Sequence, residues 1–97
     1  MAVRVILEVV AKPGSEAAVK KLFLDALPET RKYAGCRHID MAENTEKPGN
    51  LLLVEEWETR PHYEKYLAWR TESGLVASLS AMLAGPPSIR YFELVDG

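Results

Sequence analysis

Residues 51–58, LLLVEEWE, constrain this chain more than any other stretch. Leu51 to Val54 are apolar without a break, the mark of a strand covered on both faces. Alternation then places Leu51, Leu53, Glu55 and Trp57 on one face and Leu52, Val54, Glu56 and Glu58 on the other. A carboxylate and an indole thus share a face. The strand hands over at once to a helix. Thr59-Arg60-Pro61 reads as an N-cap followed by a first-turn proline. Tyr63, Tyr66, Leu67 and Arg70 follow at spacings of three and four, so they share one helical face. Whatever chemistry the chain performs is expected between that strand and that helix.

The flanking sequence supplies the partners. Residues 2–11 alternate, with Val3, Val5, Leu7 and Val9 opposite Arg4, Ile6, Glu8 and Val10, and predict a strand. Lys12-Pro13-Gly14-Ser15 is a turn, with Ser15 as the expected N-cap. Val19, Leu22, Phe23, Ala26 and Leu27 make the stripe of a helix over 16–27. Pro28 is expected to bend or interrupt it, with a further turn through Glu29 to Tyr33 and a stop at Gly35. Residues 36–43 read as an edge strand, with Cys36, His38, Asp40 and Ala42 facing away from Ile39 and Met41. Asn44 to Gly49 is a hairpin loop. After a break at 71–74, Leu75, Val76, Leu79, Met82 and Leu83 form a second helical stripe, which Gly85-Pro86-Pro87 ends. Residues 88–95 predict the last strand.

The order strand, helix, strand, strand, helix, strand gives an α+β fold. It is a ferredoxin-like βαββαβ antiparallel sheet with both helices on one face. Right-handed crossovers put the first and third strands in the centre. The 97 residues suit one domain spanning 1–97. Two helices cover one sheet face only, yet three strands carry apolar side chains on both. The open face is expected to pair with a second copy, giving a homodimer.

Other classes are excluded more simply. The formal net charge is −2 with no basic run, so no nucleic-acid partner is expected. No apolar run approaches the roughly 20 residues of a membrane span. Arg4 and Glu8 inside the opening strand pattern predict no signal peptide. The lone Cys36 forbids an internal disulfide and agrees with a reducing, cytoplasmic setting. The two histidines lie far apart, without Cys-rich or carboxylate-rich spacing, so no metal site is expected.

Several segments together resemble the antibiotic-biosynthesis monooxygenase family of the dimeric α+β barrel superfamily. They are Lys12-Pro13-Gly14 after the first strand, the Gly35-Cys36 entry to the second, Val54 to Glu58, the Tyr63 to Arg70 helix centred on Leu67, and the late Gly85-Pro86-Pro87. The resemblance spans nearly the whole chain and rests on order and spacing. It implies a ferredoxin-like subunit whose sheet packs on its twin's to form a barrel. It also implies oxygenation of a small aromatic or quinol-like substrate by O2 without flavin, haem or metal. Many members carry a histidine where this chain has Tyr66, followed here by Trp69-Arg70. Haem-degrading relatives need an axial histidine that Leu75 to Leu83 lacks, which argues against haem. Oxygenases of polyketide-like substrates use Asn, Trp and Arg, which Asn50, Trp57 and Arg70 match by type.

Cofactor-free oxygenation needs a dry pocket, a base and a group that stabilises the substrate anion. Arg70 is the candidate anion clamp, against a surface ion pair with Glu72 or Glu55. Tyr66 would orient a phenol, against a satisfied core ring. Glu55, if buried beside Trp57, would be a base with a raised pKa, against a structural ion pair. His38, oriented by Asp40, is the alternative base, against a half-exposed edge histidine. Trp57, Asn50, Tyr63 and Trp69 are the candidate substrate contacts. His62 is expected to be solvated, and nothing supports Cys36 as a nucleophile. The expected activity is a cofactor-independent monooxygenase acting on a quinol or related aromatic. A non-catalytic small-ligand-binding module and an isomerase or lyase of the same superfamily are the alternatives.

Overall fold

The computed structural model of the chain describes residues 2–97. In chain order the elements are β1 (Val3–Val10), α1 (Glu16–Lys32), β2 (Cys36–Glu43), β3 (Asn50–Trp57), α2 (Arg60–Glu72), α3 (Leu75–Ala81) and β4 (Ser88–Phe92). The sheet is antiparallel with strand order β2-β3-β1-β4, so the two most apolar strands are central. Register fixes which side chains meet the helices. Val3 pairs with Trp57, Val5 with Glu55, Leu7 with Leu53 and Val9 with Leu51. Across β4, Val5 pairs with Tyr91 and Leu7 with Ile89. This is the inner face, and the core forms on it. One cluster gathers Val9, Val19, Phe23, Leu27, Ile39, Leu51, Leu53, Leu79 and Leu83. The other gathers Val3, Val5, Trp57 and Tyr63.

Three departures from the sequence expectation carry physical lessons. First, α1 runs through Pro28 as one helix of 17 residues. An interior proline forfeits a backbone bond and normally kinks or breaks a helix. Here Pro28 and Leu24, the residue whose carbonyl loses its partner, are both exposed, so water can serve that carbonyl. The last turn is also pinned from the far side by α2, as described below. Second, β2 contains a bulge between Cys36 and His38. The extra residue flips the parity. Cys36 therefore lies opposite Trp57 and packs with the inner clusters, while His38 and Asp40 face outwards opposite Glu56 and Val54. Third, β4 ends at Phe92, so Glu93 to Val95 add nothing to the sheet.

The ends of the elements are tied in specific ways. Thr59 caps α2 by accepting from the His62 amide. Gly35 has φ 92°, and a Cβ there would come within 2.6 Å of the His62 side chain, so only glycine fits. The Gly35 carbonyl accepts from the Glu58 amide at 2.8 Å, which fixes the end of α1 to the start of α2. Ser15 stands at the N-cap of α1 without a side-chain cap bond; Glu16 instead accepts from the Gly14 amide. Gly74, with φ 87°, separates α2 from α3. Past α3, Leu83 bridges to Ala11, extending the sheet's reach over the hairpin side.

The outer face of the sheet carries Ile6, Leu52, Val54 and Phe92 among charged pairs. Val54 and Phe92 are 37% and 49% exposed in the isolated chain. Arg4 and Arg37 both meet Glu56, and Arg90 meets Glu8 at 3.2 Å.

Candidate functional site

Between the inner sheet face and the helices lies a cavity of about 90 Å³. Leu7, Leu53 and Ile89 form its floor, Phe23 and Leu27 one wall, and Leu75, Val76 and Leu79 its ceiling. The polar groups that reach it are few: Glu55 from β3, Thr30 from α1, and Tyr63, Tyr66 and Arg70 from α2. The three α2 residues arrive together because spacings of three and four stack them on one face.

Glu55 is the unusual group. It is 3% exposed and forms no ion pair among the described residues. Its Oε1 accepts from the Trp57 indole N–H at 2.9 Å. Burial lifts its carboxyl from the usual 4.5 to about 7, against the opposing pull of the indole. No enclosed side-chain oxygen or nitrogen among the described residues lacks a partner. Oε2 has none, so it keeps some accessible surface, and Glu55 is one of the residues lining the cavity.

Arg70 is 6% exposed and is likewise without a carboxylate partner among the described residues. Its Nη2 donates to the Ala26 carbonyl at 3.0 Å and to Thr30 Oγ1 at 3.1 Å, and its Nε donates to the Tyr66 hydroxyl at 3.0 Å. The guanidinium also lies over the Trp69 ring, 4.4 Å from its centroid. Thr30 Oγ1 lies 3.1 Å from the Ala26 carbonyl and 2.7 Å from the Tyr66 hydroxyl, and the Thr30–Tyr66 bond can run in either direction. Tyr66 lines the cavity while its hydroxyl bonds to Thr30 of α1 and accepts from Arg70. A positive charge is held there by neutral acceptors alone.

The remaining aromatic rings set the shape. Trp57 is fully buried and does not line the cavity. Trp69 stacks on Tyr33, 5.2 Å between centroids, and supports Arg70 from behind. Tyr63 is buried against Trp57 and Tyr91. Burial, with the neighbouring Glu55 charge, pushes its hydroxyl upwards, so it stays protonated at any ordinary pH.

The structure thus gathers Glu55, Tyr63, Tyr66 and Arg70 at one cavity, with Trp57 and Trp69 one layer behind. His38 and Asn50 stand apart. His38 is exposed on the outer face and paired with Asp40 at 2.7 Å. Asn50 lies at the outer hairpin end, donating to Glu8 and the Val9 carbonyl and accepting from Asn44. Strand parity separates both from the cavity. Thr30 was hidden from the sequence by the break expected at Pro28. Read as one helix, Phe23, Ala26, Leu27 and Thr30 continue a single stripe, and a lone hydroxyl on it is the available signal. Burial and the Glu55 charge raise the Cys36 thiol, so it is a poor nucleophile. Among the described residues no group of three His, Cys, Asp or Glu side chains could hold a metal ion, and no helix is long and apolar enough to cross a membrane.

Residues 2–71 match the sequence model of a family described as antibiotic biosynthesis monooxygenase. No curated protein matches the chain. Solved structures share its fold at low identity. Rv0793 from Mycobacterium tuberculosis superposes with a TM-score of 0.89 at 23% identity, over 100% of this chain and 98% of that one. A crystal structure described as an antibiotic biosynthesis monooxygenase gives 0.87 at 22%, over 97% and 99%. A conserved protein from Methanosarcina mazei Go1 gives 0.86 at 23%, over 95% and 91%.

Proposed function

Since the chain belongs to the antibiotic biosynthesis monooxygenase family, we propose that it is an oxygenase that uses O2 on a small, single-ring phenol or quinol without a bound cofactor. The observation that carries the reading is Glu55, a buried carboxyl on the cavity wall that burial raises to about 7 and of which only one oxygen has a hydrogen-bond partner. Such a group is matched to taking and returning a proton at pH 7. Arg70 supplies a charge that no carboxylate neutralises, which favours a phenolate over a phenol. The cavity, about 90 Å³, is well below the roughly 300 Å³ of ordinary ligand pockets, which favours a substrate no larger than a single ring.

The chemistry balances for a phenol with a free para carbon. Glu55 takes the hydroxyl proton, and the phenolate gives one electron to O2. The two radicals join at the para carbon, and Glu55 returns its proton to the peroxide. Loss of water then leaves a quinone, with one atom of O2 in the product and the other in the water. Tyr63 and Tyr66 pack the ring. We further propose that the outer sheet face, with Ile6, Leu52, Val54 and Phe92, pairs two copies. The half-buried free thiol of Cys36 suits a cytoplasmic home.

The test is oxygen uptake on a panel of single-ring phenols and hydroquinones, with wild type and Glu55→Gln side by side. Uptake that the variant loses is the expected result. Turnover that persists without O2 would replace the reading by an isomerase or lyase. Binding without turnover across the panel would make the chain a ligand-binding module. That second reading has its own support, because three of the five N–H donors of Arg70 are already engaged, two with α1 and one with Tyr66.

A further inference from the structure

We infer that Trp57 is a positioning residue for the cavity carboxyl: its indole N–H holds one oxygen of Glu55 and thereby turns the other towards the ligand. The inference rests on the reading of Glu55 as the base. The type match to family oxygenases suggested a substrate contact, but Trp57 is 0% exposed and does not line the cavity. What it touches is Glu55. The two residues are neighbours on one strand face, and Nε1 lies 2.9 Å from Oε1.

The chemistry of an indole makes this contact directional. Indole nitrogen is a donor only. It can hold a carboxylate oxygen or the carbonyl oxygen of a neutral acid, and never the acid's hydroxyl hydrogen. The carbonyl oxygen is the better acceptor of a neutral acid, so when Glu55 is protonated the indole favours the proton on Oε2, the oxygen without a protein partner. The proton is taken up and given back at the same atom. The indole itself is fixed. Its ring packs against Tyr33, Tyr63 and Tyr66 at centroid separations of 6.4, 5.5 and 5.0 Å. Opposite it on β2 lies Cys36, brought to this face by the bulge. A ring caged on these sides cannot rotate its N–H away, so the carboxyl inherits a fixed orientation from the core.

The indole also pulls against burial by favouring the charged carboxylate. Removing the N–H while keeping an aromatic ring, as in Trp57→Phe, should move the acid limb of the activity profile upwards. A hydrogen bond to a charged group suggests a displacement of about one pH unit. A residue that merely filled space would lower activity without moving that limb. The second measurement needs no change at Trp57. In a Trp69→Phe chain Trp57 is the sole indole, and its fluorescence should titrate with a midpoint near pH 7. Adding Glu55→Gln should flatten that titration. A flat response in both chains overturns the inference, as does a Trp57→Phe profile whose acid limb stays in place. Full oxygen uptake by Glu55→Gln would instead sink the proposed function, and the fluorescence titration would still report whether the indole and carboxyl are coupled.

Discussion

Replacing Glu55 by Gln should change how stability depends on pH, and the size of the change follows from burial. The Glu55 carboxyl titrates near 7 in the fold against 4.5 when solvated. Between those values the folded chain holds a proton that the unfolded chain has released. Stability therefore falls as pH rises through that window and levels off above about 7. At about 1.4 kcal/mol per pH unit of displacement, the loss is about 3 kcal/mol. Gln has nearly the same shape and can still accept from the Trp57 indole, but it does not titrate. The assay is urea unfolding from pH 5 to 8.5 at one protein concentration, since an assembly would otherwise shift the midpoint. Wild type should lose most of those 3 kcal/mol relative to the variant across the range. Groups common to both proteins cancel in the difference. On a domain of this size the same loss corresponds to a fall in melting temperature on the order of 10 °C. Two parallel curves would refute the reasoning, because they would mean that Glu55 is already ionised, or solvated, in the folded protein.

Further outcomes can be checked on the same protein. Arg70→Ala should abolish oxygen uptake without changing the assembly state, and should cost about 2–4 kcal/mol in denaturant because three hydrogen bonds are lost, two of them tying α1 to α2; unchanged turnover would remove Arg70 from the chemistry. Gly35→Ala should lower stability by at least about 1–2 kcal/mol, given the positive φ and the closeness of His62, and an unshifted melting curve would contradict that packing. Val54→Asp on the outer face should give a monomer in analytical ultracentrifugation, and a persistent dimer would mean that the copies pair elsewhere.

Much of this arrangement is written in local patterns. The parity of β3 alone puts Glu55 and Trp57 on one face, and the i, i+3, i+4, i+7 spacing of α2 alone aims Tyr63, Tyr66 and Arg70 the same way. Thr59 and Pro61 mark the start of α2 where the structure has it. What local pattern misses is decided by contacts distant in the chain. A bulge is invisible without the partner strand, so Cys36 is assigned to the wrong face. A proline looks like a helix end unless one knows that residues 40 and more positions away grip the next turn, and with that end assumed Thr30 disappears. His38 and Asn50 attract notice by residue type, yet type says nothing about which side of a sheet they serve. The indole's role is the subtlest case: two residues apart on a strand predicts proximity, and only the burial of both shows that one addresses the other.

The ceiling over the cavity comes from a helix of seven residues that contributes nothing to the acid–base pair or to the cation. Leu75, Val76 and Leu79 are ordinary aliphatic side chains, and the segment bearing them is set off from α2 by a left-handed glycine. Size selection and reactivity are therefore carried on separate parts of the chain. A descendant of this sequence could admit a bulkier molecule by trimming three side chains, with its reactive groups untouched.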